Sequence, residues 1–263
     1  MSSPDPLSPL PDPELLLAVD IGNTTTGMAL FAKGEIRGKK QYPSTPGIGR
    51  RIEGILKKYR PTVMVVSSVV PALDREVRTA GKRAGLRPLF IDHRLKTDLK
   101  LKIDHPRELG ADRIANTHGG LEFFHPPLMV IDSGTATTFD LVNRRREYIG
   151  GVIFPGIEIS LRSLADHTAK LKKIRFSIPR SPVGSNSADC IRAGLYHGYI
   201  GSLNHLILLY KELLGSETRV IVTGGLVKIL EGTLRGVDRY DENLIFRGIR
   251  AVYRKAVDRG RSP

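Results

Sequence analysis

The chain contains two short polar segments of one pattern, Asp20-Ile21-Gly22-Asn23-Thr24-Thr25-Thr26 and Asp132-Ser133-Gly134-Thr135-Ala136-Thr137-Thr138. Each segment follows an apolar run that is typical of a buried strand, and the two lie 112 residues apart. In both, a carboxylate at the strand end precedes a glycine and then hydroxyl or amide side chains. One Asp-x-Gly turn is common in ordinary hairpins, but two copies in matching positions indicate a repeated ligand-binding turn.

The residue types of these turns suit the phosphates of a nucleotide. The glycine lets the backbone approach a ligand without a Cβ in the way, and successive N–H groups and threonine hydroxyls can donate to phosphate oxygens. The carboxylate would repel phosphate, so we expect it to hold a bridging cation. The sequence has no Walker-type loop and no G-x-G-x-x-G after a strand, so a nucleotide would have to bind at these turns.

Apolar periodicity around the turns predicts two similar sets of strands and helices. In the first set, strands are predicted at 15–19, 27–32, 63–66 and 89–91, and helices at 48–59, 71–84 and 111–124. A turn at Gly34 and Glu35 indicates that this set opens with an antiparallel meander. In the second, strands are predicted at 128–132, 139–142, 148–154 and 220–223, and helices at 157–165, 187–214 and 243–257. Strands mixed with helices in this way imply an α/β protein with helices covering its sheets.

The internal repeat predicts a division into two lobes, at residues 14–126 and 127–263, after a disordered N-terminal tail at 1–13. The junction is placed at His125-Pro126-Pro127. Two similar lobes create a cleft between them, which is where we expect a nucleotide to bind.

Composition excludes several other classes of protein. The 41 Lys and Arg residues exceed the 27 Asp and Glu residues, for a formal charge of +14, but they are spread along the chain without a basic arm. A nucleic-acid partner is therefore disfavoured, and no apolar run is long enough for a membrane span.

The single cysteine, Cys190, fits a reducing cytoplasm and is expected to be a buried apolar residue. The seven histidines show no metal-binding spacing.

Further motifs narrow the interpretation. They are Gly110-Ala111-Asp112-Arg113, Tyr148-Ile149-Gly150-Gly151 leading to Pro155-Gly156-Ile157, Thr168-Ala169-Lys170-Leu171, Gly184-Ser185-Asn186-Ser187 and Gly194-Leu195-Tyr196-His197-Gly198-Tyr199. In order and spacing, these motifs and the two polar turns resemble the type III pantothenate kinases, also named the Bvg accessory factor family. That family has two similar lobes of the ribonuclease H-like or actin-like ATPase fold. Gly224-Gly225, after the strand at 220–223, resembles the adenosine loop of that superfamily.

The resemblance implies ATP-dependent phosphorylation of pantothenate to 4′-phosphopantothenate, the first step of coenzyme A biosynthesis, by a cytoplasmic homodimer that uses the Mg²⁺ complex of ATP. It implies ATP contacts at Asp20, Ile21, Gly22, Asn23, Thr24, Thr25, Thr26, Gly27 and Thr135. It implies substrate contacts at Gly110, Ala111, Asp112, Arg113 and Ser187, with Asp112 as the catalytic proton acceptor. Asp132 resembles the ligand of an activating monovalent cation, K⁺ or NH₄⁺.

The sequence departs from the family pattern at two positions, and it leaves alternatives to the kinase interpretation open. Ser187 stands where the family commonly has threonine, and Ile103 stands where many relatives have a tyrosine that contacts the substrate. Ile103 therefore leaves open a kinase of the same fold for another small alcohol or sugar. The positive charge leaves open a non-catalytic regulator that binds nucleic acid, and Asp112 would also suit the first turn of any helix. A chaperone-like ATPase is disfavoured because no peptide-binding domain follows the two lobes.

Overall fold

The computed structural model describes residues 15–166 and 174–260. The described residues divide into two compact units, one formed by residues 15–123 with 244–260 and the other by residues 124–166 with 174–243. The predicted tail at 1–13 and the motif Thr168-Ala169-Lys170-Leu171 lie outside the described residues.

The first unit is built around a sheet that is covered on both faces. Its elements are β1 (Leu15–Ile21), β2 (Thr25–Ala32), β3 (Glu35–Pro43), α1 (Ile48–Tyr59), β4 (Val63–Ser68), α2 (Pro71–Arg83), β5 (Leu89–Phe90), β6 (Lys100–Leu101), a 3-10 turn (Pro106–Glu108), α3 (Ala111–Leu121) and the C-terminal helix α7 (Leu244–Gly260). Five strands lie in the order β3-β2-β1-β4-β5. The meander β1-β2-β3 is antiparallel, whereas β4 and β5 extend the sheet in parallel to β1.

The two faces of this sheet pack against different helices because side chains alternate along a strand. Leu17 and Val19 of β1 pack in the cluster formed with α1 and α2, and Leu16 and Ala18 pack with α3 and α7. All four are buried, which explains why β1 reads as a continuous apolar run.

Helix α7 is the one element that departs from the predicted division, which assigned residues 127–263 to the second lobe. It packs against α3 in the first unit, and two glycines allow the helices to approach closely. A Cβ built on Gly248 would lie 1.8 Å from the carbonyl oxygen of Ala115, and one on Gly119 would lie 2.6 Å from that of Leu244. The sequence shows that α7 is amphipathic, but its pattern does not say which unit covers its apolar face.

The second unit repeats the topology of the first. Its elements are β7 (Leu128–Ser133), β8 (Ala136–Val142), β9 (Glu147–Pro155), α4 (Ile157–Asp166), α5 (Ser187–Leu214), β10 (Arg219–Thr223), α6 (Val227–Leu230) and β11 (Arg239–Tyr240). The order β9-β8-β7-β10 matches β3-β2-β1-β4, again with an antiparallel meander followed by a parallel strand. On one sheet face, Met129 and Ile131 pack with Leu203 and Ile207 of α5.

Most predicted elements are confirmed to within a few residues, and α1 and α5 have the predicted ends. The short elements β6, β11 and α6 were not predicted, because two to four residues are too few for a periodic pattern. Among the described helices, none has the length and apolarity that a membrane span requires.

Candidate active site

The first polar turn closes the β1–β2 hairpin. Asp20 stands near the end of β1 opposite Gly27, and its Oδ1 accepts a hydrogen bond of 3.0 Å from the hydroxyl of Ser67 on the neighbouring strand β4. The N–H of Gly22 donates to the carbonyl of Thr25 at 3.0 Å, which closes the turn. Sequence reasoning missed Ser67; its position directly after the apolar run at 63–66 is the signal that could have identified it.

The side chains of this hairpin divide into two groups. Those of Asn23, Thr24 and Thr25 are exposed and can meet a ligand. Ile21 and Thr26 are buried, and the Oγ1 of Thr26 lies 2.9 Å from the hydroxyl oxygen of Ser44. In this structure neither of the two buried residues has exposed surface with which to meet a ligand.

Gly27 has a packing role that the sequence does not reveal. A Cβ built on Gly27 would lie 2.8 Å from Cζ of Phe246 on α7. The glycine therefore lets β2 approach the C-terminal helix, whatever contact its backbone makes with ATP.

Asp112 lies in the first turn of α3, directly after the buried Ala111. Its Oδ1 accepts the backbone N–H of Arg113 at 2.8 Å. Burial raises the pKa of Asp112 above the ordinary value of an aspartate, and the hydrogen bond and charge of Arg113 offset only part of that increase. A half-buried carboxylate with a raised pKa is the electrostatic setting expected of a proton acceptor.

Asp20 and Asp112 belong to the same end of one sheet face in the first unit. Asp20 continues the alternation of Leu16 and Ala18, whose face packs against α3 and α7. The start of α3 lies beside the end of β4, since a Cβ on Gly110 would be 3.5 Å from Cγ1 of Val69. The structure thus brings the first turn and the predicted substrate motif to the carboxyl ends of parallel strands, where α/β sheets commonly bind ligands.

The second polar turn closes the β7–β8 hairpin, and the start of α4 packs against it. The carbonyl of Thr135 accepts the N–H of Gly156 at 3.0 Å. A Cβ built on Gly156 would lie 2.3 Å from the carbonyl oxygen of Gly134. Close approach of backbone to backbone therefore explains the glycine in the Pro155-Gly156 motif, while the side chain of Thr135 remains exposed.

The backbone directly after β10 also packs closely against the second turn, beside Asp132. Gly224 has a φ of +98°, and a Cβ there would lie 2.4 Å from Oδ1 of Asp132 and 2.5 Å from the carbonyl oxygen of Ser133. Both the left-handed conformation and the close approach favour glycine. The Gly224-Gly225 pair of the predicted adenosine loop thus lies beside the strand-end carboxylate.

The turns of the two hairpins differ in length by one residue. Ile21 pairs with Thr26 in the first, whereas Ser133 pairs with Thr137 in the second, so the second turn is shorter. Thr26 and Thr137 are therefore equivalent. Both are buried and hydrogen-bonded to a side chain of their own unit: Thr26 to Ser44, which follows β3, and Thr137 to Tyr199 of α5.

The remaining predicted residues have less distinctive surroundings. Ser187 is exposed at the first position of α5, where the Asn186 side chain caps the helix by accepting the N–H of Asp189 at 3.0 Å. Ile103 is half-buried.

Cys190 was expected to be buried but is exposed, because it lies on an uncovered part of α5. Within residues 15–166 and 174–260, no group of three or more His, Cys, Asp or Glu side chains is arranged to hold a metal ion.

Comparison with known proteins supports this description of the chain. Residues 16–208 match the family model described as type III pantothenate kinase. The type III pantothenate kinase of Myxococcus xanthus is 34% identical over 250 residues, covering 91% of this chain and 98% of that protein. Among curated relatives, that of Salinispora arenicola is 36% identical over 252 residues, covering 92% and 100%.

A solved structure shows the same fold at lower identity. A conserved candidate Baf family transcriptional activator of Campylobacter jejuni has a TM-score of 0.57 at 20% identity, covering 90% of this chain and 96% of that one. At this identity the likeness shows the fold alone, and it agrees with the predicted actin-like ATPase fold.

Proposed function

The chain belongs to the type III pantothenate kinase family and phosphorylates pantothenate with ATP in coenzyme A biosynthesis, and on that premise we propose how its residues perform the reaction. The observation that carries the proposal is the placement of Asp112 at the start of α3, on the sheet face and strand ends that Asp20 shares. The family match favours this kinase over the regulator and over a kinase for another small alcohol or sugar.

Asp112 is the proton acceptor for the hydroxyl of pantothenate. Phosphoryl transfer requires positioning, charge neutralisation and an oriented hydroxyl, with little covalent work by the protein. A carboxylate that accepts the hydroxyl proton contributes about 10²- to 10⁴-fold in rate. Because its pKa is raised by burial, Asp112 is a better base than an exposed aspartate.

The other substrate contacts flank Asp112. Arg113 follows it in α3 and is half-buried, and its guanidinium would pair with the carboxylate of pantothenate. Gly110 and Ala111 provide the backbone of the helix start, and Ser187 provides an exposed hydroxyl at the start of α5.

The first hairpin binds the phosphates of ATP. Its exposed residues, Asn23 to Thr25, provide side-chain and backbone donors, and Gly22 lets the turn close, since a Cβ there would lie 3.3 Å from the carbonyl oxygen of Thr25. The family uses ATP with a divalent metal, and we assign this metal as Mg²⁺. The residues fit this group, since Mg²⁺ in such sites is bound by phosphates and waters with only one or two carboxylates, and Asp20 offers one at the strand end. The metal neutralises phosphate charge when bound, and Thr135 makes a further ATP contact.

Asp132 is the ligand of a monovalent cation, K⁺ or NH₄⁺. The carboxylate lies beside the Ser133 carbonyl and the backbone of Gly224, so oxygen atoms of the kind that hard cations prefer are concentrated there.

A homodimer would cover the exposed face of α5. Gly194, Gly198 and Gly201 have open space around them, and Leu208 and Leu213 farther along the helix are 59% and 67% exposed. Small residues followed by exposed leucines suit a helix–helix interface. Leu208→Glu with Leu213→Glu should therefore shift sedimentation toward the monomer. We also propose a cytoplasmic location, which the single cysteine suits.

A coupled assay tests the whole proposal. ADP release should depend on pantothenate, should be faster in potassium than in sodium at equal ionic strength, and should nearly vanish in Asp112→Asn. ADP release that is independent of pantothenate would contradict the assigned substrate site.

A further inference from the structure

Tyr199 of α5 connects its helix to both strands of the second hairpin. Its phenolic oxygen lies 2.6 Å from Oγ of Ser133 at the end of β7 and 2.7 Å from Oγ1 of Thr137 at the start of β8. Ser133 and Thr137 are paired across the hairpin immediately below the turn. One hydroxyl therefore bonds to both strands at the point where the turn begins.

These three hydroxyls form a buried polar group inside the second unit. Ser133 and Thr137 have no exposed surface, and Tyr199 is buried. Each hydroxyl can donate one hydrogen bond and accept two, and each of the three has at least one partner within the group. Burial raises the pKa of Tyr199, so its hydroxyl stays protonated at physiological pH. Removing the Tyr199 hydroxyl would leave the buried hydroxyls of Ser133 and Thr137 without this partner, which costs stability.

The same group explains why two residues of the second polar segment are not ligand contacts. The side chains of Ser133 and Thr137 are directed to Tyr199, so the residues of the turn left to meet a ligand are Gly134, Thr135 and Ala136. The backbone on either side of this turn is enclosed by Gly156 and Gly224. Tyr199 restrains the turn from a third side, through its hydrogen bonds to the side chains of Ser133 and Thr137.

We propose that Tyr199 is a positioning residue that fixes the β7–β8 turn and thereby sets the affinity of the enzyme for ATP and for its monovalent cation. The inference rests on the proposed roles of Thr135 and Asp132, which lie on either side of Gly134 in this hairpin. Tyr199 acts through the hairpin and does not contact the reacting atoms.

Tyr199→Phe removes the hydroxyl and keeps the ring that packs near Phe154, whose centroid lies 6.0 Å away. Its matched control is Tyr210→Phe on the same helix, where the ring packs 6.0 Å from that of Phe139 and the hydroxyl bonds to none of the residues that the structure describes. Loss of two hydrogen bonds should raise the Kd of ATP and the potassium concentration for half-maximal activity by about tenfold. The KM of pantothenate should change less than twofold, and Tyr210→Phe should match the wild type in all three quantities.

A lower melting temperature of Tyr199→Phe with wild-type ATP and potassium constants would overturn the inference, because it would show a purely structural role. If that variant does not fold, Thr137→Val removes a partner of the hydroxyl from the hairpin side and should raise the same two constants. A wild-type enzyme that binds ATP but ignores potassium would contradict the cation site of the proposed function, and the Kd of ATP would still decide for or against Tyr199.

Discussion

Gly110 leaves open the space that the carboxylate of Asp112 occupies. A Cβ at position 110 would lie 2.4 Å from Oδ1 of Asp112, well inside the separation at which a carbon and an oxygen touch. The same Oδ1 accepts the N–H of Arg113, so the carboxylate is held against the helix start. The glycine of the Gly110-Ala111-Asp112-Arg113 motif is thus required by the orientation of the proposed base.

Gly110→Ala should therefore displace the carboxylate of Asp112. A shift of about 1 Å in a reacting group can cost about 10²-fold in rate, so we expect kcat to fall by one to two orders of magnitude. The Kd of ATP, measured by calorimetry, should change little because the first hairpin is untouched. The control is Gly54→Ala in α1, where no atom lies within 4 Å of the added Cβ. Wild-type kcat in Gly110→Ala would show that the position of this carboxylate does not matter.

Asp112→Asn keeps the side-chain shape and removes the base. Single-turnover phosphorylation should slow by about 10²- to 10⁴-fold with nearly unchanged ATP binding. Since burial raises the pKa of Asp112, wild-type turnover should fall on acidification at a pH above the ordinary range of aspartate. A stable variant with wild-type turnover would end the general-base assignment.

The same pKa shift predicts how stability changes with pH. A carboxyl group whose pKa is raised by folding stabilises the folded state below its unfolded pKa, and this contribution is lost as the pH rises through the folded value. Above that folded value the ionised Asp112 therefore costs stability, so Asp112→Asn should melt there at the same temperature as the wild type or higher. The difference should shrink as the pH falls through the raised pKa. Thermal melts across this range test the sign, and a less stable variant above the raised pKa would contradict it.

Asp132→Asn should weaken the dependence on potassium together with the rate, because an amide holds a hard cation less well than a carboxylate does. The measurement is initial rate against potassium concentration, with sodium replacing potassium at constant ionic strength. Equal turnover of the wild type in sodium and potassium would count against a monovalent cation at Asp132.

Gly248→Ala should destabilise the contact between α3 and α7. The added Cβ would lie 1.8 Å from the carbonyl oxygen of Ala115, so the helices must move apart, at a cost of about 1–3 kcal/mol. Urea unfolding provides the measurement. Gly54→Ala is again the control and should raise stability by about 0.5–1 kcal/mol, because alanine favours a helix interior. Unchanged stability in Gly248→Ala would mean that the helix contact adapts without cost.

The sequence was sufficient to predict the local elements and the two strand-end turns, because these depend on apolar periodicity and on short polar motifs. It could not distinguish hydroxyls that face a ligand from hydroxyls that face the interior. Thr25 is exposed and Thr26 is buried, although both belong to one run of threonines. The difference depends on strand register, and a spacing of 112 residues aligns Thr26 with Thr138 where the structure aligns it with Thr137.

Hydrogen-bond partners that are far apart in the sequence could not be predicted from its patterns either. Ser67 and Tyr199 lie 47 and 62 residues from Asp20 and Thr137, the side chains that they bond. Both follow from strand and helix neighbours that only the fold defines. The predicted assignment of α7 to the second lobe was wrong for the same reason, since the pattern of an amphipathic helix does not identify the surface that the helix covers.

The position of α7 has a consequence for biosynthesis. The first unit begins the chain but includes this C-terminal helix, whereas the second unit is one continuous segment, residues 124–243. On the ribosome, the second unit is therefore complete before the first. Until α7 emerges, Gly27 lacks its neighbour Phe246, and the face of β1 that carries Leu16 and Ala18 lacks one of the two helices that cover it. Premature termination shortly after Asn243 would leave a nascent chain with a finished second unit and an open apolar sheet, a species suited to capture by chaperones.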